Sequence, residues 1–588
     1  MPFERALLGG LAEALAALGS ASDPALLRGL VNWDGGPQAD AALPVHRLAA
    51  AAHLPAPEFA TRLGGAFRTG GEIAAVSTDG AYLNFVAAPE RIGSRTLATV
   101  FALGERYGHR PPAAERACVE HTSANPTGPF HIGRVRNAII GDTLARTLRA
   151  AGTPVTTQYY VDDMGRQAAM ISWIWGREPA RWPEEIRATL DGAPEGEKAD
   201  AHRGRPYPAV SAYLKTHPEA AAEVAAVVEG LESGRIPERH RALAEEILGG
   251  MVASLGRLGI AFDEFVWESE FVRNGAVASV LDRLHAAPHA RREENGAWAI
   301  DAGGYGLPKE KQTVVVQRGN GTSLYVTRDV AYHLAKFARF ARVVDVLGQD
   351  HQLHARTLEA LLAEIGEARR PEFVIYQDIT VPEGGRMSTR GGSAVWLDQL
   401  LAEAVERARG EVRARREGLA DDEVDRIAEA VATGAVRYHI VRVAPEKPVV
   451  FRWEDALSFE GRSGPFCQYA YARATSVLGK AAPPAASGAG APPYPYDVGR
   501  LGHPDERALL RLVARFPRTV EGAARRHHVH AIAGYAHDVA DQFNRFYHAV
   551  PVLRAEAERS SRLALVAAVR QTLGNALDLL GVARLDSM

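Results

Sequence analysis

Residues 124–134, ANPTGPFHIGR, crowd prolines, glycines and a histidine ahead of an apolar run. Pro126 and Pro129 stiffen a loop, Gly128 and Gly133 let backbone come close to a ligand, and Arg136, Asn137, Ile139 and Ile140 open a helix. A helix N-terminus offers free N–H groups where negative charge is favoured, and His131 brings a ring nitrogen to the loop tip. The stretch therefore suits a nucleoside triphosphate, although an ordinary Gly/Pro turn before a helix accounts for the same residues. A second loop lies far downstream at residues 384–392, GGRMSTRGG. Arg386, Ser388, Thr389 and Arg390 sit there between glycines, so the loop could swing cations and hydroxyls onto a polyphosphate as charge builds on a leaving pyrophosphate. A flexible basic surface turn is the plain alternative.

Such loops act only where a fold holds them. ACVEHTS, the first loop, RNAIIGDTLARTLRAAG and TTQYYVDD follow one another as strand, turn, helix and strand from residue 116. This is a βαβ unit, so a parallel sheet with ligands at its strand C-termini is expected. Charged, helical sequence at about 175–300 interrupts it as an insertion between two half-folds, with a Pro/Gly-rich patch at 192–208. The sheet is expected to resume at TVVVQ, SLYVTRDV, RVVDVLGQD and FVIYQDI. Upstream, residues 1–108 read as a separate α/β module with a helix over about 3–18, strands near 72–77 and 81–86, and helices near 89–104. Residues 105–115 are linker-like. Downstream, helical sequence at 395–446 and a low-complexity hinge at 481–495 precede helices from about 504 to the end.

Composition narrows the classes. A chain of 588 residues implies about three to four domains. Hydrophobic content of 46% and charged content of 24% are those of a folded water-soluble protein, which argues against disorder. No long uncharged apolar run is available to span a bilayer, and the N-terminus carries Glu4 and helical leucine spacing in place of a signal-peptide core. The expectation is a cytoplasmic protein. Cys118 and Cys467 are the two cysteines, with nothing near them at metal-ligand spacing, so neither a disulfide scaffold nor a structural zinc site is expected. The net charge of −3 gives no global attraction for nucleic acid, but residues 500–588 hold 13 arginines against 9 acids. That local excess permits contact with a phosphate backbone, and solvated helix faces explain it as well.

Together the two loops resemble the His-x-Gly-His and Lys-Met-Ser-Lys-Ser motifs of class I aminoacyl-tRNA synthetases, in the same order. Glu120, YYVDDMGRQ at 159–167, YVTRDVAYH at 325–333, SGPFCQYAYAR at 463–473 and FNRFYHAVPVL at 543–553 narrow the resemblance to the arginyl-tRNA synthetases. The matches run through nearly the whole chain. The resemblance implies an α/β fold: a Rossmann-like parallel-sheet catalytic domain at 116–394 with a helical insertion, an additional tRNA-binding α/β domain at 1–108, a helical connection at 395–462 and an all-α anticodon-binding domain at 463–588. It implies arginine–tRNA ligation through an arginyl-adenylate, with ATP and Mg2+ as substrate, no tightly bound cofactor, no metal site, and tRNA(Arg) and L-arginine as partners. No membrane partner is expected, and a monomer is.

Arginine activation needs ATP positioned, a counter-charge for pyrophosphate and a pocket that rejects lysine, citrulline and ornithine. The arginine carboxylate itself attacks phosphorus, so catalysis is positioning plus electrostatics. By resemblance, His131 and Gly133 meet phosphates and adenosine with Arg134 beside them, while Arg386, Met387, Ser388 and Arg390 close over the pyrophosphate. A guanidinium carries five donors in a fixed fork, for which carboxylates are natural partners. The resemblance puts Glu120, Tyr325 and Asp329 on the guanidinium, Asn125 nearer the α-amino group, and Gln349, Asp350 or His351 nearby. Plainer roles remain for two of these: Asp329 as the cap of a helix beginning DVAYHLAKF, and Tyr325 as a sheet tyrosine. A site that hydrogen-bonds its substrate's polar tip discriminates by ~10⁴ or more, so no editing domain is expected.

For RNA, Tyr469, Tyr471, Arg473 and Tyr547 are the candidates, since aromatic rings stack on unpaired bases and arginines meet phosphate. Phe543, Phe546 and Tyr547 also have the spacing of a core stripe, which suits the phenylalanines and leaves Tyr547 open. The chain departs from the family pattern at Gly128, where many members have lysine, at Arg134 for histidine, and at Arg386 and Thr389 for lysines. Thr389 removes a cation that Arg390 could restore. Those departures are the only support for a non-catalytic tRNA-binding paralogue. A nucleotidylyltransferase with a similar first motif leaves the long C-terminal region unexplained.

Overall fold

The computed structural model describes residues 2–20, 23–33, 39–381, 385–386, 396–416, 418–481 and 491–588. Two compact units are present. One comprises Met1–Tyr107, Arg473–Pro517 and Asp538–Asn575, and the other Gly108–Ala472, Arg518–His537 and Ala576–Met588.

In the first unit, β1 (Ala41–Pro44), β2 (Ile73–Asp79) and β3 (Tyr82–Ala87) form an antiparallel sheet in the order β1-β3-β2. Alternation in YLNFVA turns Leu83 and Phe85 inward, where they meet Leu7, Leu11, Phe59 and Leu63 from helices Pro2–Ala17 and Ala56–Ala66. The N-terminal residues share this unit with C-terminal helical segments. Asn575 donates to the carbonyls of Gly104 (3.0 Å) and Tyr107 (2.9 Å), and the Tyr107 hydroxyl donates to the carbonyl of Val513 (2.8 Å). Gly93 is needed for close packing, because a Cβ there would lie 2.7 Å from Val498.

The second unit is built on five parallel strands, β4 (Ala117–Glu120), β5 (Val155–Val161), β6 (Glu264–Trp267), β10 (Arg342–Gly348) and β11 (Glu372–Tyr376), in the order β11-β10-β4-β5-β6. Between β6 and β10 the chain makes a separate antiparallel sheet of β7 (Ala290–Arg292), β8 (Trp298–Asp301) and β9 (Thr313–Gln317). A small sheet of β12 (Ile379–Val381), β13 (Gly385–Arg386) and β14 (Val449–Val450) follows. Strand order reverses between β4 and β10, which places the crevice for a ligand beyond Glu120 and Gly348.

The parallel sheet differs from the sequence expectation in three elements. TVVVQ forms β9 in the antiparallel sheet. SLYVTRDV is not a strand: helix Tyr325–Arg339 starts within it, with Val326, Val330 and Phe337 at helical spacing against the core. Packing along that stripe, and a 2.7 Å bond from Thr327 Oγ1 to the Val316 carbonyl, override the local β preference of Tyr, Val and Thr. Glu264–Trp267, inside the expected insertion, returns to the parallel sheet as its edge strand. Between about 175 and that strand the chain is helical, from Glu184–Arg187 to Glu238–Arg257. Among the described residues one helix, Arg559–Leu580, is long and apolar enough to cross a membrane, and 78% of its apolar window is buried within the protein.

Candidate active site

The chain leaves β4 through Thr122 and Ser123, both at positive φ (73° and 40°), a backbone that non-glycine residues adopt only when their surroundings enforce it. The surroundings here are specific. Asn137, in helix Ile132–Ala150, accepts from the Thr122 N–H (2.7 Å) and donates to the Val346 carbonyl of β10 (2.8 Å), and the Tyr159 hydroxyl bonds both polar groups of Ala124. The start of the first motif's loop is thus bolted to β5 and, through Asn137, to β10 on either side of β4.

His131 is the N-cap of that helix. Its Nδ1 accepts from the Gly133 N–H at 3.0 Å, which leaves the proton on Nε2. Burial and the Arg134 guanidinium hold its pKa below the ordinary value, so the ring is neutral and its buried Nε2–H has no partner among the described residues. A Cβ on Gly133 would lie 2.9 Å from His131 Nδ1, so glycine is required there. Arg134 is exposed on the first turn. His131 also pairs with Trp396 by a backbone bridge and meets its ring edge-on at 5.9 Å, while the Leu397 N–H donates to the Phe130 carbonyl (2.8 Å). The segment leaving the second motif is therefore held against the first. In that second motif, Arg386 pairs through its backbone with Thr380; Met387, Ser388, Thr389 and Arg390 lie outside the described residues.

Beneath the end of β4 runs a continuous chain of charges. Lys336 bonds Glu120 and, at 2.7 Å, Asp345; His333 Nε2 bonds Asp345 (2.7 Å) and its Nδ1 faces Asp329 (3.0 Å); His354 Nε2 bonds the other Asp329 oxygen (2.7 Å). Ser123 donates to the second Glu120 oxygen (2.9 Å). Burial pushes the Glu120 carboxyl above its ordinary value, with Lys336 opposing. At Asp329 burial acts the same way, but the charge and hydrogen bonds of His333 and His354 outweigh it and hold the carboxyl well below the usual range. Burial and Lys336 push His333 down, yet Asp329 and Asp345 raise it to about 10, so it is an imidazolium donating from both nitrogens.

Asp329 is consequently not a helix cap: the helix begins at Tyr325, and Asp329 lies in its second turn. Nor is Tyr325 a sheet tyrosine. It opens the helix, is 63% exposed and lies 5.3 Å from the His354 ring. Asn125 donates to Asp162 (3.1 Å) and Gln167 (3.2 Å). Gln349 donates to Asp378 (3.0 Å) beyond β10; Asp350 is exposed and His351 half-buried beside it. Sequence reasoning missed Lys336, His333, Asp345 and Asp162. The signal for two of them was present, since Asp329, His333 and Lys336 are spaced i, i+4, i+7 on one helix face.

Of the RNA candidates, Tyr471 is only 4% exposed, and a ring enclosed by protein cannot stack on a base; this corrects its assignment. Tyr469 is half-buried on the same helix, Gly464–Gly479. Arg473 bonds Asn544 (2.6 Å) and lies 4.9 Å over the Tyr547 ring. Phe543 and Phe546 are fully buried, whereas Tyr547 is 41% exposed.

A parallel sheet with a histidine-capped helix at its switch point, tied to the exit of a second glycine-flanked loop, defines a class I synthetase catalytic domain. In agreement, a family model described as tRNA synthetases class I (R), catalytic domain, matches residues 96–453, and one described as DALR anticodon binding domain matches residues 467–588. The arginine–tRNA ligase of Methanothermobacter thermautotrophicus is 44% identical over 87% of this chain and 86% of that protein, and that of Halorubrum lacusprofundi is 42% identical over 88% of each. The arginyl-tRNA synthetase structure of Thermus thermophilus superposes with a TM-score of 0.81 at 28% identity, covering 100% of both chains. The chain belongs to the arginyl-tRNA synthetase family.

Proposed function

We infer that this protein is an arginine–tRNA ligase, which consumes ATP to form arginyl-adenylate and transfers arginine to the 3′ end of tRNA(Arg). The observation that carries this reading is the placing of two carboxylates, the buried Glu120 and the half-buried Asp329, at a switch point where a capped helix N-terminus also lies. The carboxylates offer negative charge to a guanidinium, and the helix end offers phosphate its positive dipole and the His131 Nε2–H.

In this mechanism Glu120, Asp329 and Tyr325 take the guanidinium, Asn125 orients the α-amino group, and Gln349, Asp350 and His351 border the pocket. The arginine carboxylate forms a bond to the α-phosphorus as the bond from that phosphorus to the pyrophosphate oxygen breaks. No general base is required. His131 Nε2–H, the Gly133 backbone and Arg134 hold the nucleotide, and Arg386, Met387, Ser388 and Arg390 close on the leaving pyrophosphate. Magnesium arrives with ATP as part of the substrate. The 2′-hydroxyl of the terminal nucleotide then displaces AMP. We place residues 1–108 and 463–588 on the tRNA, and assign the enzyme to the cytoplasm as a monomer; the sedimentation velocity of the free enzyme tests the last.

The second motif lacks one lysine at Thr389. Arginine-dependent pyrophosphate exchange is therefore expected to be weak in RNA-free enzyme and restored by tRNA, which would complete or order the site. Full exchange without RNA would eliminate that dependence. For the anticodon side, Tyr547→Ala is expected to weaken tRNA binding by ~1–3 kcal/mol while the melting temperature stays near wild type. A large fall in melting temperature with unchanged tRNA affinity would assign Tyr547 to the core.

A further inference from the structure

We propose that Lys336 and His333 are positioning residues for arginine: a buried cationic pair that holds Glu120 and Asp329 in fixed orientation from behind the pocket. The inference rests on the reading of Glu120 and Asp329 as guanidinium partners. Three carboxylates, Glu120, Asp345 and Asp329, surround two cations.

The geometry separates the roles. Asp345 lies on β10 and bonds both cations, so it anchors Lys336 and His333 rather than meeting substrate. Glu120 and Asp329 each bond one cation of that pair on one oxygen, which fixes the carboxylate planes; the second oxygens accept from Ser123 and His354. Lys336 is sealed from solvent and lies 4.0 Å from the Tyr332 ring centroid, too confined to move with substrate. A neutral residue at 336 leaves the buried Glu120 carboxyl facing Asp345, Asp329, Tyr332 and Cys118, with His333 the remaining cation. Glu120 would then hold its proton at neutral pH, and arginine would have to displace it.

Lys336→Met is therefore expected to raise the arginine KM at least tenfold at pH 7, with the ATP KM within about twofold of wild type. The defect should shrink about tenfold per unit as pH rises toward 9, a dependence absent from wild type, and Lys336→Arg should restore most of the affinity. A pH-independent loss, or equal losses for arginine and ATP, overturns the proposal, because a merely structural lysine would behave so. Should Lys336→Met not fold, His333→Gln carries the test through Asp329. An arginine-selective rise in KM supports the proposal, and an unchanged arginine KM overturns it. Glu120→Gln separates the layers. If it leaves arginine binding intact, the guanidinium reading itself fails; if it weakens arginine while Lys336→Met does not, only the positioning role fails.

Discussion

Asp329→Ala is expected to raise the arginine KM by about a hundredfold or more while changing the ATP KM by no more than a few fold. Asp329 sits on helix Tyr325–Arg339 with His333 on one oxygen and His354 on the other, and its carboxyl is held ionised throughout the physiological range. Removing one partner of a buried charge pair costs ~3–5 kcal/mol, and each 1.4 kcal/mol is tenfold in affinity. The proposed ATP site lies elsewhere, on the loop and helix capped by His131, so the ATP KM reports the integrity of the rest of the site. The check is steady-state charging with each substrate varied in turn, together with calorimetric binding of arginine. Equal damage to both substrates, or none to either, would remove Asp329 from the pocket.

Arg437→Ala should lower stability by ~3–5 kcal/mol, the largest effect expected of any single change away from the substrates. Its guanidinium is fully buried. Nε donates to the Leu580 carbonyl (2.6 Å), Nη1 to the Leu258 carbonyl (2.7 Å) and Nη2 to Asp142 (2.5 Å) on the helix that follows the first motif. Gly581, at φ 65°, makes room: a Cβ there would sit 2.3 Å from Arg437 Cζ. Truncation leaves two buried carbonyls without donors and deprives Asp142 of a cation, although Arg146 remains 2.8 Å away. Lysine cannot reach three acceptors from one plane, so Arg437→Lys should recover only part of the loss. Burial pushes Asp142 up, but Arg437 and Arg146 outweigh it and hold the carboxyl below its ordinary value. A depressed carboxylate contributes stability above its unfolded pKa of about 4 and loses it as pH falls through the folded value. The gap in melting temperature between wild type and variant should accordingly narrow in acid. A variant that melts within a degree or two of wild type at pH 7 would show that the buried hub is not needed.

How far the sequence carried the fold depends on which signals were local. The βαβ start was readable because ACVEHTS, the glycine-bearing loop and RNAIIGDTLARTLRAAG each state their structure over a few residues, and β4, helix Ile132–Ala150 and β5 lie where expected. The segment from Ser323 was misread because Tyr, Val and Thr favour strands locally, while the deciding contacts of Val326, Val330 and Phe337 are with residues distant in sequence. Four-residue β6 was missed among charged helices, since so short a run shows no period of its own and its partner β5 is distant in sequence. Of the residues proposed for the site, His131 and Gly133 stand out by the loop they occupy, and Glu120 and Asp329 by the family resemblance. Their supports Lys336 and His333 share a helix face with Asp329, but Glu120 and Asp345, which they bond, lie on separate strands that only the fold brings beside that face. Tyr471 failed for the opposite reason: an aromatic beside an arginine looks the same in sequence whether its ring faces water or core.

The central claim is that this pocket selects arginine and that the enzyme joins it to tRNA. Charging of tRNA in the presence of ATP, with arginine, lysine, ornithine and citrulline supplied separately at equal concentration, tests it most directly. The account predicts alkali-labile aminoacyl-tRNA with arginine alone, AMP and pyrophosphate released in step with it, and no product above background with the three analogues, each of which lacks the charged planar fork. Tight tRNA binding with no charging by any of the four would contradict it and leave an RNA-binding paralogue in its place.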